Sequence, residues 1–344
     1  MKTMKAMVLR EYNRPLVMEE RPVRQPAGSE VLLKVRAAGV CGTDLKLFRG
    51  MNPRLKPPIV LGHEFAGEVE AVGPDVHLRH VGERAVVYMY MTCGQCEPCL
   101  TGHENLCANR RGFFGFDRDG GFAEYVIVPE SNLVPLPESV SFDAAAILGD
   151  AVATSWHAVR TQANLKPAQT IAVVGLGGLG LHAVQCGCAC GGEVIAVDSL
   201  QSKLDMAKEN GAHHIVNSST GDFVQEVRDI TGGKGADAVV IFRPHPEVIE
   251  PAIKCVKPDG AVVMVAYIDF GKTLNLDQRF IQSMEVRLMG ARGNTRQELA
   301  EVVQLVARRQ LHPLIAGNFP LDQVDAALIQ LETGQVTGRI VLHP

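Results

Sequence analysis

The sequence predicts an α/β protein of two domains, one β-rich and built as a small barrel or sandwich, the other doubly wound around a parallel sheet. Three observations predict it. A chain of 344 residues exceeds what a single core usually fills. Its first part runs through short apolar strands punctuated by Gly and Pro. From Thr170 onward, strands rich in β-branched residues alternate with helical stretches, the pattern of a parallel sheet covered on both faces.

Composition narrows the function. Apolar residues make up 46% of the chain, ample for packed interiors, and the formal net charge of -4 comes without a basic block, so no nucleic-acid footprint is expected. Met1 to Asn13 lacks the continuous apolar core of a signal peptide, and no apolar run approaches the roughly 18 residues that span a bilayer. A cytoplasmic protein acting on a small molecule, with no membrane partner, is the expectation. In that compartment the nine cysteines are ligands or reduced core residues rather than disulfides.

The first part justifies its strands one by one. From Lys5 to about Ala38 the pattern alternates, broken by Pro22, Pro26 and Gly28; Phe65 to Val72 and Arg84 to Tyr88 follow, separated by Gly73-Pro74 and Gly82. Between them, Cys41 to Glu64 brings a thiolate, an imidazole (His63) and a carboxylate into one short span. A catalytic zinc keeps three protein ligands and one open position, so Cys41 and His63 form half of such a site, with Glu64 as an outer or alternate ligand. Taken singly, each residue also reads as a buried core residue.

Cys93, Cys96, Cys99 and Cys107 stand three, three and eight residues apart among turn formers Gly94, Pro98 and Gly102, so four thiolates can converge on one tetrahedral ion. With every ligand a thiolate, the site is closed and structural. An iron–sulfur cluster is permitted by the same spacing. Gly120 to Val126 then turns into another strand, and Phe142 to Thr161 reads as a buried helix or helix pair. Asp150 lies in that apolar stretch. A buried carboxylate needs a partner or a cation, which makes Asp150 a candidate third zinc ligand; a helix N-cap accounts for it equally well.

The strand Thr170 to Gly175 runs into Gly175-Leu-Gly177-Gly178-Leu179-Gly180 and an apolar helix. Strand, G-x-G-x-x-G turn and helix in that order are the dinucleotide fingerprint, the glycines letting the backbone approach a pyrophosphate at the helix N-terminus. A second strand, Glu193 to Val197, ends at Asp198, whose carboxylate can accept both ribose hydroxyls and would repel a 2′-phosphate. NAD is therefore favoured over NADP, with Lys203 able to soften the choice. Cys186, Cys188 and Cys190 alternate along the intervening helix and do not face one another, so they read as small packing residues. Strands follow at Ala238 to Phe242, Ala261 to Ala266 and Val286 to Ala291, then helices at Thr295 to Gln310 and Leu321 to Glu332, then a terminal strand Arg339 to His343.

Taken together, the Cys41 and His63 half-site, the four-cysteine lobe, the glycine turn and Asp198 resemble the zinc-containing medium-chain alcohol dehydrogenase family, over almost the whole chain and in the family's order. The resemblance implies a GroES-like catalytic domain over residues 1–152 with a structural zinc lobe at 93–107, a Rossmann NAD-binding domain over 153–291, and a return to the first domain over 292–344. It implies a cleft at the domain junction, two zinc ions and NAD per subunit, and a homodimer or homotetramer. The implied reaction moves a hydride from an alcohol, expected to be secondary, to NAD, leaving a ketone or aldehyde. A polyol or amino-alcohol dehydrogenase of the same family is the alternative, and a catalytically silent NAD-binding protein ranks below it.

Residue by residue, the resemblance makes Cys41, His63 and Asp150 the catalytic ligands, the Asp version looking like that of bacterial secondary-alcohol dehydrogenases, with Glu64 beside them. It makes Thr43 the hydroxyl that takes the substrate proton, Thr154 a neighbour of the nicotinamide, Lys203 a cation near the ribose and Arg339 a pyrophosphate contact. Two departures stand out. Lys46 occupies the place where many members carry a relaying histidine, although a lysine with its ordinary pKa of about 10.4 shuttles protons poorly. Phe242 to Pro246 replaces a smaller glycine-containing loop, so Arg243 or His245 either touches the cofactor or substrate or belongs to an exposed loop without a role.

Overall fold

The computed structural model describes residues 2–52, 55–268 and 271–344. The chain divides into two compact units. One combines Met1–Ala153 with Asn294–Arg309 and Pro313–Pro344, and the other combines Thr154–Gly293 with Gln310–His312.

The first unit is built on the strand Glu30–Val40, whose apolar side chains are buried along nearly its whole length. It runs antiparallel to Glu64–Val72, Tyr125–Pro129 and the C-terminal strand Arg339–His343. Its two ends serve different partners, Glu30 to Lys34 facing Tyr125–Pro129 and Ala38 to Val40 facing Arg339–His343, and register shifts against Glu64–Val72 accommodate the bend between them. Leu33, Val35, Val40, Phe65, Phe122 and Ile340 meet in its core. This pairing matters for function because Cys41 follows directly on one strand, Glu64 opens a second and Arg339 opens a third.

In the second unit six parallel strands, among the described residues, lie in the order His214–Asn217, Glu193–Asp198, Thr170–Val174, Ala236–Ile241, Val256–Met264 and Arg287–Gly290. The chain moves outward from Thr170–Val174 in one direction and then returns to its other side. That reversal creates the switch point beside which doubly wound sheets bind ligands.

One expectation changes in detail, and two strands lie where none was expected. Phe142 to Thr161 is not a simple helix pair: helix Phe142–Ala146 runs into a 3-10 turn at Ile147–Gly149, the chain breaks at Asp150 (φ -130°, ψ -65°), and helix Ala153–Trp156 resumes into a π-helical turn, His157–Gln162. Two strands carry no signal in the pattern, His214–Asn217 and Ile315–Pro320. Each lies at a sheet edge with one neighbour, so neither needs the buried apolar run that marks an inner strand. Among the described residues no helix is long and apolar enough to cross a membrane.

Candidate metal and cofactor sites

Cys41 ends the long central strand and caps the helix Gly42–Phe48. Its sulfur accepts the Thr43 backbone N–H at 3.5 Å, and Asp44 returns a carboxylate oxygen to the Cys41 N–H at 2.8 Å, a capping box in which cysteine takes the usual place of serine. The other oxygen of Asp44 lies 3.2 Å from Nδ1 of His63, and both side chains are buried. Asp44 thus claims the Nδ1 proton and directs Nε2 away from itself, the tautomer a metal-ligating histidine needs.

That Nε2 lies 3.7 Å from Asp150 Oδ2, which is itself 3.7 Å from Cys41 Sγ. Donor atoms from Cys41, His63, Glu64 and Asp150 all fall within 4.8 Å of one another. The break in the chain at Asp150 explains its position: the next helix begins at Ala153, so Asp150 does not cap it, and its carboxylate joins the cluster instead. Arg339, nearly fully buried, closes the group. Its Nη2 sits 2.9 Å from Glu64 Oε1, 3.3 Å from Cys41 Sγ and 3.4 Å from Asp150 Oδ2, with Nε 3.1 Å from Glu64 Oε1.

Donor chemistry decides what such a cluster can hold. The sulfur of Cys41, the nitrogen of His63 and the carboxylate of Asp150 are the donor set a divalent zinc takes, while Glu64 pairs with Arg339. The titration of the side chains agrees. Burial disfavours the imidazolium of His63, yet the charge of Asp44 and hydrogen bonds to Asp150, Asp44 and Cys41 outweigh it and hold the group well above the ordinary histidine value. Burial pushes Glu64 up to about 7 although Arg339 pulls it down, with Asp150 adding repulsion. Anions gathered this way hold an excess proton; a metal ion at the same point takes that proton's place.

The second cluster is more regular. Sulfur separations are 3.5 Å for Cys96 to Cys99, 3.6 Å for Cys93 to Cys107, 3.8 Å for Cys96 to Cys107 and 3.9 Å for Cys93 to Cys99. A tetrahedron with Zn–S bonds of about 2.3 Å has edges of about 3.8 Å, so the four thiols already stand at the corners of a zinc site. Backbone N–H groups favour the anionic form of two of them: Cys99 N–H lowers Cys96 to about 6, and Gln95 N–H lowers Cys93. Burial pushes Cys99 up to about 12.

In the second unit, Gly175 turns the chain at φ +93° and Gly177 caps the helix Gly178–Ala189 without any side-chain bond to its leading N–H groups. A Cβ at Gly180 would stand 1.9 Å from the Gly175 carbonyl oxygen, so that glycine lets helix and strand pack. A Cβ at Gly177 would meet nothing within 4 Å and would project into open space before the helix N-terminus, which is the cradle a pyrophosphate fits. Asp198 ends the neighbouring strand with Oδ2 accepting the Leu176 N–H at 2.7 Å and Oδ1 the Leu200 N–H at 3.1 Å. A carboxylate has lone pairs left after two such bonds, enough to receive ribose hydroxyls.

Comparison with known proteins agrees with this geometry. Residues 27–138 match the family model described as alcohol dehydrogenase GroES-like domain, and residues 178–308 match the one described as zinc-binding dehydrogenase. An NAD-dependent alcohol dehydrogenase of Sulfurisphaera tokodaii is 35% identical, the alignment covering 99% of this chain and 100% of the relative. This chain belongs to the zinc-containing medium-chain alcohol dehydrogenase family. An L-threonine 3-dehydrogenase of Symbiobacterium thermophilum is 33% identical over 99% of the chain and 98% of its own length. The crystal structure of an alcohol dehydrogenase from Aeropyrum pernix superposes with a TM-score of 0.91 at 33% identity, covering 99% of this chain and 100% of that one.

Within this member of the family the remaining residues fall as follows. Thr43 and Lys46 lie half-buried on the short helix that Cys41 caps. Thr154 is buried next to Ser155, whose hydroxyl donates to the Leu179 carbonyl at 2.8 Å and ties that segment to the glycine turn; Lys203 is buried in the first turn of helix Gln201–Glu209. Arg339, read from the sequence as a pyrophosphate contact, has its guanidinium engaged by Glu64, Cys41 and Asp150, because strand pairing with Glu30–Val40 delivers it to the ligand cluster. The Phe242 to Pro246 segment is not detached from the cofactor turn: the Arg243 backbone nitrogen lies 3.0 Å from where a Gly175 Cβ would stand, with its side chain exposed. Cys186 is buried and Cys188 donates to the Gly211 carbonyl at 3.1 Å. Sequence reasoning missed Asp44; its signal was the capping-box spacing of Cys41 and Asp44, three apart.

Proposed function

We propose that this enzyme oxidises a secondary alcohol to a ketone with NAD, reversibly, at a zinc held by Cys41, His63 and Asp150. The observation that carries the reading is the convergence of three chemically different donors, sulfur, nitrogen and oxygen, while the fourth, Glu64, pairs with Arg339. A closed site would use all four donors; this one leaves a position for substrate. When bound, zinc acts as a Lewis acid on the alcohol oxygen, and NAD is the hydride acceptor.

The chain's own residues do the rest. Asp44 fixes the His63 tautomer, and Arg339 neutralises Glu64 so that its charge does not compete for the metal. Thr43, two residues beyond Cys41, receives the hydroxyl proton; Lys46 stands one helical turn farther on the same helix, and either it or the cofactor ribose with water passes the proton outward. Gly175, Gly177, Gly178, Leu179 and Gly180 hold the pyrophosphate; Asp198 and Lys203 hold the adenosine ribose; Thr154 flanks the nicotinamide. Cys93, Cys96, Cys99 and Cys107 hold a second zinc that orders their loop. A cytoplasmic homodimer or homotetramer is the form proposed to act.

A second reading, an amino-alcohol dehydrogenase, draws on the relative named L-threonine 3-dehydrogenase. The test is NAD reduction against primary, secondary, polyol and amino alcohols by wild type and Asp150→Ala, with zinc determined on both. Secondary alcohols should lead, and Asp150→Ala should lose about one zinc per chain along with activity. A wild type that holds one zinc and turns over nothing would leave only an NAD-binding protein.

A further inference from the structure

The loop beyond the four-cysteine lobe places an arginine and an aromatic pair beside the ligand cluster. Phe113 and Phe116 stack at 3.7 Å with 14° between their planes, and both stand nearly edge-on to the His63 ring, at 6.0 Å and 5.5 Å. The Arg110 guanidinium carbon lies 5.6 Å from the Phe113 ring and 5.5 Å from the buried ring of Tyr90. The two steps of 5.6 Å and 6.0 Å put Arg110 within about 12 Å of the His63 imidazole.

Arg110 is half-buried with no carboxylate partner among the described residues, whereas Arg118 of the same loop turns its guanidinium to the backbone oxygens of Asp117 and Arg111. The acids of its own loop are committed elsewhere: Asp117 accepts the Phe113 N–H at 2.6 Å, Asp119 accepts the Val60 N–H and Arg21, and Glu104 takes Arg296. Stacking on rings covers the faces of a guanidinium and leaves its edge of N–H donors open, the arrangement that receives a planar oxyanion through two parallel hydrogen bonds.

We propose that Arg110 selects alcohols bearing an oxyanion, a carboxylate or a phosphate monoester, remote from the reacting hydroxyl, the connecting carbons lying against Phe113 and Phe116. The proposal rests on the reading of Cys41, His63 and Asp150 as the centre where the hydroxyl reacts. It makes Arg110 a specificity-determining residue and the substrate an amphipathic hydroxy acid or phosphoalcohol.

The experiment compares alcohols of equal length with the hydroxyl on the penultimate carbon: a hydroxyhexanoate, its methyl ester, and the corresponding monophosphate. Each is assayed with the zinc-loaded enzyme and NAD for wild type, Arg110→Gln and Arg110→Lys. Wild type should favour an oxyanion over the ester by at least about tenfold in kcat/KM, Arg110→Gln should erase that ratio, and Arg110→Lys should keep part of it, as expected for hydrogen bonds to a charged group. The preferred anion identifies carboxylate or phosphate as the source. A wild-type ratio of one or below, or an Arg110→Gln loss shared equally by charged and neutral substrates, overturns the proposal. If wild type oxidises none of them, the dehydrogenase reading falls. Calorimetric titration with the hydroxyhexanoate and the ester then decides for Arg110: a binding preference lost in Arg110→Gln upholds its role, and equal binding ends it.

Discussion

Asp44 Oδ1 lies 3.2 Å from Nδ1 of His63, and both residues are buried. Because the second Asp44 oxygen takes the Cys41 N–H, one buried carboxylate orients two of the ligands together. Asp44→Asn keeps the shape but removes the charge that holds the Nδ1 proton. Zinc affinity at that centre should fall about 10- to 100-fold, read by chelator competition, with activity falling in parallel and the second zinc retained.

Arg339 is the strongest counter-charge to Glu64, 2.9 Å away, and both are buried. Removing one partner of a buried pair leaves the other charge uncompensated, which costs about 3 to 5 kcal/mol. Arg339→Met should therefore lower the thermal midpoint substantially, and adding Glu64→Gln should restore most of the loss. Equal losses in the single and double variants would mean that Arg339 stabilises through packing alone.

The four-cysteine lobe makes a prediction about reactivity. With the structural zinc stripped, Cys96 should be alkylated ahead of the other cysteines, because its pKa near 6 makes it largely thiolate at pH 7. Its rate should rise between pH 5 and 7 and then level off. Cys186 and Cys255, pushed up by burial, the latter to about 12, should stay unmodified until the protein unfolds. Peptide mass mapping after short alkylation distinguishes them, and zinc should protect all four lobe cysteines.

The glycine turn separates binding from folding. Gly180→Ala places a methyl group 1.9 Å from the Gly175 carbonyl oxygen, and should destabilise the unit by about 1 to 3 kcal/mol or more. Gly177→Ala meets no protein atom, so stability should change by less than about 1 kcal/mol while KM for NAD rises. A Gly177→Ala enzyme with unchanged KM would mean that the open space before the helix is not the pyrophosphate site.

Much of this site was legible because its signals are local. The Cys93 to Cys107 spacing lies within a single loop of turn formers, and the glycine turn is bracketed by its own strand and helix. The parallel sheet was legible from inner strands such as Thr170–Val174, buried on both faces and β-branched at every position but Ala172. Edge strands His214–Asn217 and Ile315–Pro320 were not, since one neighbour and partial exposure impose no comparable pattern. The chain break at Asp150 was less legible, because its surroundings are mostly apolar and only Gly149 just before it argues against a continuous helix.

By itself, then, the sequence determined the family, the two-part architecture and those donor groups that neighbours in the chain hold in place, since short-range sterics and spacing suffice for turns, caps and a one-loop metal cluster. Tertiary structure decided what lies across the chain. It brought Asp150 to Cys41 over 109 residues and Arg339 to Cys41 over 298, and it set Phe113 and Phe116 against His63. The physical reason is that these encounters follow from which strands pair and which surfaces are buried together. Arg339 opens a strand that closes on Glu30–Val40, and only that closure carries its charge into the ligand cluster.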